Sequence, residues 1–309
     1  MSELTEKKYP SREEFYSRAK GILEVDILRN KRVAIIGLGS FGSHIAVELV
    51  KAGVETFHLF DFDTIEVHNL ARHTASVHDI GRQKTDVMKD TILGKNPYAT
   101  VHLYPIDIHL NPGPLTALLK AQLIDLIICA TDNNSSRYIL AQLASEYNVT
   151  CIYGRAITRA EGGDVFIQRP GEACYCCLVG NDWFDAADEE ISDENSARRD
   201  GRIPAYASAE DADVMVQVGL SSDIMPICNM MVKLALIELS RGLESGLQEL
   251  EKELRFNYYM WANRRERRHK NWAAFGESGS LPTILRWYGA QISKKEHCAV
   301  CSTSIELEI

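Results

Sequence analysis

The stretch Arg32-Val33-Ala34-Ile35-Ile36-Gly37-Leu38-Gly39-Ser40-Phe41-Gly42 constrains this chain more than any other. Four consecutive apolar residues, three of them β-branched, predict a strand buried on both faces, as in a parallel sheet. A G-x-G-x-x-G turn follows at Gly37, Gly39 and Gly42, and Ser43 to Ala52 reads as a helix stopped by Gly53. Gly37 serves the tight turn, Gly39 lets a phosphate approach the backbone, and Gly42 lets helix pack on strand. The helix N-terminus offers N–H groups to an anion. Strand, glycine turn and helix together form the first unit of a Rossmann-type α/β fold with a nucleotide site.

The rest of the chain extends that pattern. Thr56–Phe60 is a second strand ending at Asp61, placed to bond a ribose hydroxyl. Both dinucleotides and ATP contain that ribose, so Asp61 does not choose between them. The loop behind it does. Asp63, Glu66, Asn69 and Arg72 cluster acids, an amide and a cation, and Gly81-Arg82-Gln83-Lys84 opens a helix to about Gly94. Arg72 and Lys84 are two cations near one phosphate site, which suits negative charge building on phosphorus. Val101–Pro105 is a third strand, and 123–130, almost wholly apolar, is a central fourth that ends at Asp132. That acid can hold Mg²⁺ on a nucleotide; a helix N-cap role is the alternative, shared with Asn133 and Asn134. Residues 151–154 and 163–168 read as two more strands, 225–239 as an apolar helix holding Cys228, and 256–261 as a strand. Residues 1–30 have an amphipathic helical pattern.

Composition enters where partners and compartment are concerned. Lys plus Arg number 34 against 43 Asp plus Glu, a net charge of −9, which makes a poor general nucleic-acid binder. No apolar run reaches membrane-spanning length and the N-terminus lacks an apolar signal core, so a cytoplasmic protein is expected. The eight cysteines then point to metal or buried thiols rather than disulfides. Cys174-Tyr175-Cys176-Cys177 and Cys298-Ala299-Val300-Cys301 supply two C-x-x-C pairs, suited to a closed, structural zinc site that pins the C-terminus to the domain. Cys176 leaves open which thiols bind. Residues 180–213 are acidic and read as a mobile loop, and 264–270 is a basic run that reads as a solvated face or a docking patch.

Taken together, Gly37–Gly42, Asp61-x-Asp63, Asn69-Leu-x-Arg72, Gly81-x-x-Lys84, Asn96-Pro97, Asp132-Asn133 and the two cysteine pairs resemble the ThiF/MoeB/HesA adenylyltransferases, relatives of the ubiquitin-activating enzymes. The resemblance covers residues 12–178 well and 225–240 loosely, with the cysteine pair at 298–301. It implies a mostly parallel sheet with helices on both faces plus a zinc knuckle. It also implies binding of ATP and Mg²⁺, adenylation of a carboxylate (usually the C-terminal glycine of a ubiquitin-like or sulfur-carrier protein) and a homodimer. By position, Asp61 corresponds to the ribose ligand, with Asp63 beside it. Asn69, Arg72 and Lys84 correspond to phosphate ligands, Asp132 to the magnesium acid, and Cys174, Cys177, Cys298 and Cys301 to the zinc ligands. Phe15-Tyr16-Ser17-Arg18 resembles the family's N-terminal segment whose last arginine reaches the partner subunit's ATP, which makes Arg18 a candidate finger in trans.

The expected organisation is an N-terminal helical segment, 1–30, and an adenylation domain, 31–309, whose part 241–309 closes the zinc site. The sequence departs from the family pattern at Ser40, where a glycine is usual, and at His73, where glutamine is common. The interval from Arg72 to Lys84 is one residue short. The loop after Cys177 has no cysteine, so no thioester step is expected. Two rival readings are a nicotinamide-dependent oxidoreductase, which leaves Asn69, Arg72, Lys84 and the cysteine pairs without a role, and a non-catalytic adaptor. A third keeps adenylation but moves it to a small-molecule or tRNA-attached carboxylate.

Overall fold

The computed structural model describes residues 9–19, 21–157, 160–180, 219–264 and 284–302. The acidic stretch beyond Gly180 and the basic run beyond Arg264 lie outside the described residues.

The apolar runs of the sequence become the centre of one eight-stranded sheet. Its strands are β1 (Arg32–Ile36), β2 (Thr56–Phe60), β3 (Thr100–Tyr104), β4 (Leu126–Cys129), β5 (Cys151–Ile157), β6 (Gly162–Gln168), β7 (Tyr258–Ala262) and β8 (Arg286–Ala290), in the order β3-β2-β1-β4-β5-β6-β7-β8. The first five in that order are parallel and the last three join antiparallel. The strand order reverses between β1 and β4, and ligands of open parallel sheets bind beyond the carboxyl ends of strands at such a point.

Alternation along the strands sends side chains to two separate cores. Val33, Ile35, Phe57, Leu59, Leu126, Ile128 and Ile152 meet α3 (Ser40–Ala52), α4 (Lys84–Lys95) and α8 (Ser221–Ser240). Ala34, Ile36, Phe60, Ile127, Cys129 and Tyr153 meet α5 (Gly113–Lys120), α6 (Asn134–Glu146) and α7 (Tyr175–Val179) on the other face. Helices therefore cover both faces, as the parallel reading requires. Each fully buried Leu, Ile or Phe contributes ~1.5–3 kcal/mol of burial, so these two cores hold the sheet.

Several boundaries differ from the sequence reading. The N-terminal segment is two single turns, α1 (Arg12–Phe15) and α2 (Val25–Leu28), rather than one helix; Gly21 breaks it at φ +86°. The first long helix begins at Ser40, three residues earlier than expected, because Gly39 already serves as its N-cap. The fourth strand begins only at Leu126, since the preceding Asp125 turns to fork Arg32 through both carboxylate oxygens. The 241–297 stretch, whose role the sequence does not disclose, supplies α9 (Gln248–Glu253) and strands β7 and β8, which extend the sheet before the chain returns to the cysteines. Among the described residues no helix is long and apolar enough to cross a membrane.

Candidate active site

A cleft of about 530 Å³ opens over the carboxyl ends of β1, β2 and β4, at the point where the strand order reverses. The glycine turn forms its floor. Gly37 sits at φ +87°, and a Cβ there would lie 2.8 Å from the Ala130 carbonyl oxygen. At Gly42 a Cβ would lie inside the Gly37 carbonyl oxygen, so only glycine lets α3 start this close to the turn. Gly39 has nothing within 4 Å of its missing side chain: this is the open approach for a ligand. Gly39 makes no side-chain cap, so the first N–H groups of α3 are left for an anion.

Both backbone groups of Leu38 are held. Its N–H donates to Asp61 Oδ2 at 2.6 Å, and its carbonyl accepts from His73 Nε2 at 2.7 Å. The other His73 nitrogen accepts from the Ala75 N–H, which fixes the neutral tautomer with the proton on Nε2. Burial pushes the His73 pKa down to about 4. His73 thus does structural work behind the turn. Asp61 Oδ1 also accepts from the Asp63 N–H at 2.8 Å, yet Asp61 still lines the cleft. Burial pushes its carboxyl upward, against the pull of Lys84 and the Leu38 N–H. A carboxylate has about four acceptor positions, so a ribose hydroxyl can still be accommodated.

Lys84 is buried and its ammonium lies 2.7 Å from Asp63 Oδ2 and 3.9 Å from Asp61 Oδ1. Burial would lower its pKa, but the Asp61 and Asp63 carboxylates outweigh it and the net direction is upward. The lysine therefore stays cationic inside the cleft. It is also held by its backbone, since its N–H donates to the Asp63 carbonyl. Arg72 follows the 3₁₀ turn Val67–Ala71, in which Asn69 Oδ1 accepts from the Glu66 N–H; His44 holds the Arg72 carbonyl at 3.0 Å. Asn69 and Arg72 both line the cleft.

The alternative role for Asp132 does not hold. The α6 cap is Asn133, whose Oδ1 accepts from the Ser136 N–H at 2.8 Å. Asp132, the residue before it, is exposed and lines the cleft. Its carboxylate fits a cation's donor set: an oxygen ligand, anionic, unburdened by capping. The structure thus brings Gly37, Gly39, Asp61, Asp63, Asn69, Arg72, Lys84 and Asp132 around one cavity. It does not bring Arg18, which is exposed and outside the cleft of its own chain. Nor does it bring Asn96. That residue is buried at the end of α4, where its amide donates to the Tyr16 hydroxyl at 2.8 Å and its carbonyl caps Tyr98. With the Arg12–Glu55 fork, Asn96 ties down the N-terminal segment.

Two cleft residues carry no local signal in the sequence. Arg137, on the first turns of α6, donates to the Thr131 carbonyl at 2.8 Å and to Asn134 Oδ1. Arg155 forks Asp164, whose carboxylate also accepts from the Tyr258 hydroxyl, and lies 6.0 Å from the Tyr175 ring centre. Strand β7 thereby buttresses the far wall of the cleft.

Behind that wall, Cys174, Cys177, Cys298 and Cys301 bring their sulfurs within 4.8 Å of one another. Cys174 lies 3.4 Å from Cys298, Cys177 lies 3.4 Å from Cys301, and Cys174 lies 3.9 Å from Cys177. Four thiolates at about 2.3 Å from one zinc sit about 3.8 Å apart at the corners of a tetrahedron, so the donor set fits. Cys176 is buried and outside the group.

Fold and site now carry a family. The chain belongs to the ThiF family, which matches it over residues 16–272. It is 35% identical over 155 residues to the molybdopterin-synthase adenylyltransferase of Escherichia coli strain K12, covering 50% of this chain and 60% of that one. It is 30% identical over 178 residues to ubiquitin-like modifier-activating enzyme 5 of Oryza sativa subsp. japonica, covering 52% and 42%. The matches thus span about two fifths to three fifths of these relatives' length. Among solved structures, E. coli MccB with MccA-N7isoASN superposes with a TM-score of 0.64 at 19% identity, over 94% of this chain and 75% of that one. E. coli MccB with ATP gives 0.61 at 18%, over 90% and 68%. These two likenesses are of fold.

Proposed function

We propose that this protein adenylates a carboxylate, with ATP as co-substrate, and that the carboxylate is the C-terminus of a ubiquitin-like or sulfur-carrier protein. One observation carries the reading: at the point where the strand order reverses, one cleft collects an open glycine turn, Arg72, a Lys84 kept cationic, and an Asp132 released from capping. Family relatives named as adenylyltransferase and modifier-activating enzyme support it, as does a structural neighbour crystallised with ATP. A nicotinamide enzyme has no use for that cation and acid pair.

In this reading the substrate carboxylate attacks the α-phosphorus of ATP. A new O–P bond forms, the bond to the β-phosphate bridging oxygen breaks, and pyrophosphate leaves with the charge. No general base is needed, because a carboxylate is already ionised at neutral pH. Asp61 holds the ribose. The α3 N-terminus, Asn69, Arg72 and Lys84 hold the phosphates and stabilise charge that builds on them. Asp132 would hold Mg²⁺, which would supply positive charge to the phosphates. The four clustered cysteines would hold a structural zinc. Arg18 lies outside its own cleft, which suits a cation delivered to a partner subunit's site in a homodimer.

Exchange of labelled pyrophosphate into ATP tests the reading. With a cognate carboxylate and Mg²⁺ the wild-type protein catalyses exchange. Asp132→Asn and Arg72→Ala each lose at least ~100-fold, the scale of removing one charge-stabilising group. Undiminished exchange in both variants refutes the assigned site.

A further inference from the structure

Arg72 enters the cleft from a loop, and loops are held less firmly than the strands and helices around them. Its guanidinium is sunk far enough from water that burial pushes its pKa down. A desolvated cation stabilises phosphate charge only where its position is fixed, and a displacement of ~1 Å can cost on the order of 100-fold.

Hydrogen bonds to the backbone on both sides of Arg72 supply that fixity. The Arg72 N–H donates to the Asn69 carbonyl at 2.9 Å and the His73 N–H donates to the same oxygen at 2.8 Å. These bonds hold the residue to its own turn. Two imidazoles then hold the turn to the floor of the cleft. His73 reaches from the loop to the Leu38 carbonyl in the glycine turn, at 2.7 Å. His44 reaches the other way, from the second turn of α3 to the carbonyl of Arg72 itself, at 3.0 Å. A carbonyl only accepts, so His44 Nε2 carries the proton and donates, whether or not Nδ1 is protonated as well.

The peptide unit that joins Arg72 to His73 is thereby pinned at both polar ends, its N–H by Asn69 and its C=O by His44. The helix that supplies His44 cannot drift. Gly42 sits so close to the Gly37 carbonyl oxygen that a Cβ would not fit between them. The same helix opens at the cleft, where Gly39, Ser40 and Phe41 line the wall. His44 itself does not line the cleft.

We propose that His44 is a positioning residue: through the Arg72 carbonyl it sets where the guanidinium stands relative to the anion-binding end of α3, so that helix and arginine grip the nucleotide phosphates as one unit. The inference rests on the adenylation reading and adds to it a residue that touches no ligand. Its burial favours this role over a purely structural tie. The ring is half-exposed, so water could satisfy it, and the bond is not forced by the need to pair a buried polar group. Its target does too, since the carbonyl it takes belongs to the residue that carries the charge.

The test is a double-mutant cycle on Mg·ATP affinity, read by calorimetry in wild type, His44→Leu, Arg72→Ala and the double variant. Leucine is a good helix former and the site is half-exposed, so α3 is retained; urea denaturation checks that each variant is folded. His44→Leu weakens Mg·ATP about tenfold, the scale of one lost hydrogen bond. With Arg72 already removed, the same change costs no more than about twofold, because the group that His44 places is gone. His44→Gln, whose amide can donate from nearly the position of Nε2, returns affinity to within about twofold of wild type. His44→Asn, whose amide is too short to reach, behaves as His44→Leu and takes its place in the cycle if the leucine variant does not fold.

A purely structural tie gives another pattern, in which the loss of affinity is as large without Arg72 as with it. Equal losses in the two backgrounds therefore overturn the proposal. So does a His44→Leu variant that binds Mg·ATP as wild type does, or a His44→Gln variant as weak as His44→Leu. Wild-type protein that binds no Mg·ATP strikes the adenylation reading itself and takes this inference with it, whereas tight wild-type binding with an additive cycle strikes this inference alone.

Discussion

The sharpest quantitative expectation concerns His73. Its ring bridges the Leu38 carbonyl and the Ala75 N–H from a nearly closed environment, and burial sets its pKa at about 4 against an ordinary 6.5. The folded protein therefore prefers the neutral ring. The resulting stabilisation is fully present above pH 6.5, where the unfolded chain is also neutral. It is lost as pH falls from 6.5 toward 4, because only the unfolded state takes up the proton in that interval. One pH decade of unmatched protonation is worth about 1.4 kcal/mol, so by pH 4.5 about 2.5 kcal/mol has been withdrawn.

His73→Gln removes the titration and keeps the bonds. The glutamine amide can donate to Leu38 and its carbonyl can accept from Ala75. At pH 7.5 the variant lies within about 1 kcal/mol of wild type by urea denaturation, the scale of one imperfect hydrogen bond. At pH 4.5 it has gained about 2.5 kcal/mol relative to wild type. His58, also buried with a pKa of about 4, and the cysteine cluster titrate in both proteins and cancel in the difference. A stability difference that stays flat between pH 7.5 and 4.5, or a variant more acid-labile than wild type, refutes the neutral His73 behind the glycine turn.

Further outcomes follow from the same geometry. One zinc per chain co-purifies, and Cys298→Ser releases it and lowers thermal stability; elemental analysis without zinc in chelator-free protein refutes the cluster's role. Cys228 lies on buried α8 with its thiol pushed up to about 12 by burial, and the stretch 180–213 has no cysteine. No reductant-labile partner conjugate is therefore expected to disappear in Cys228→Ala, and one that does overturns the expectation that no thioester forms. Gly42→Ala puts a Cβ into the Gly37 carbonyl oxygen and is expected to abolish ATP binding in protein that retains its sheet by circular dichroism. Mixing inactive Arg18→Ala with inactive Asp132→Asn partly restores exchange, because one heterodimer site has its own Asp132 and its neighbour's Arg18; no recovery after confirmed subunit exchange refutes the trans role.

What was legible in the sequence was chemistry that a short stretch holds by itself. The glycine turn announces itself because Gly37 and Gly42 meet requirements set within a few residues. The central strands announce themselves because burial on both faces leaves only apolar choices. Helix α5 was missed because Pro112-Gly113-Pro114 opens it with residues that read as a breaker, yet proline fits a first helical turn. β8 was missed because an exposed edge strand needs no apolar pattern, and Arg286, Tyr288 and Gly289 show none.

The candidate site divides in the same way. Asp61, Arg72, Lys84 and Asp132 follow recognisable strands and turns, so their gathering was expected. The supports were not: Asn96 answers Tyr16 across 80 residues, and Arg155 relies on Asp164 and Tyr258. No local pattern encodes such a partnership, because either residue alone reads as an ordinary polar group. The open edge of β5 is further from view. It arises from the difference in length between two strands, one ending at Cys129 and the other at Ile157. Neither strand's sequence contains that difference. It exists only once register is fixed, because the pairing of Cys129 with Tyr153 is what leaves the end of β5 beyond β4.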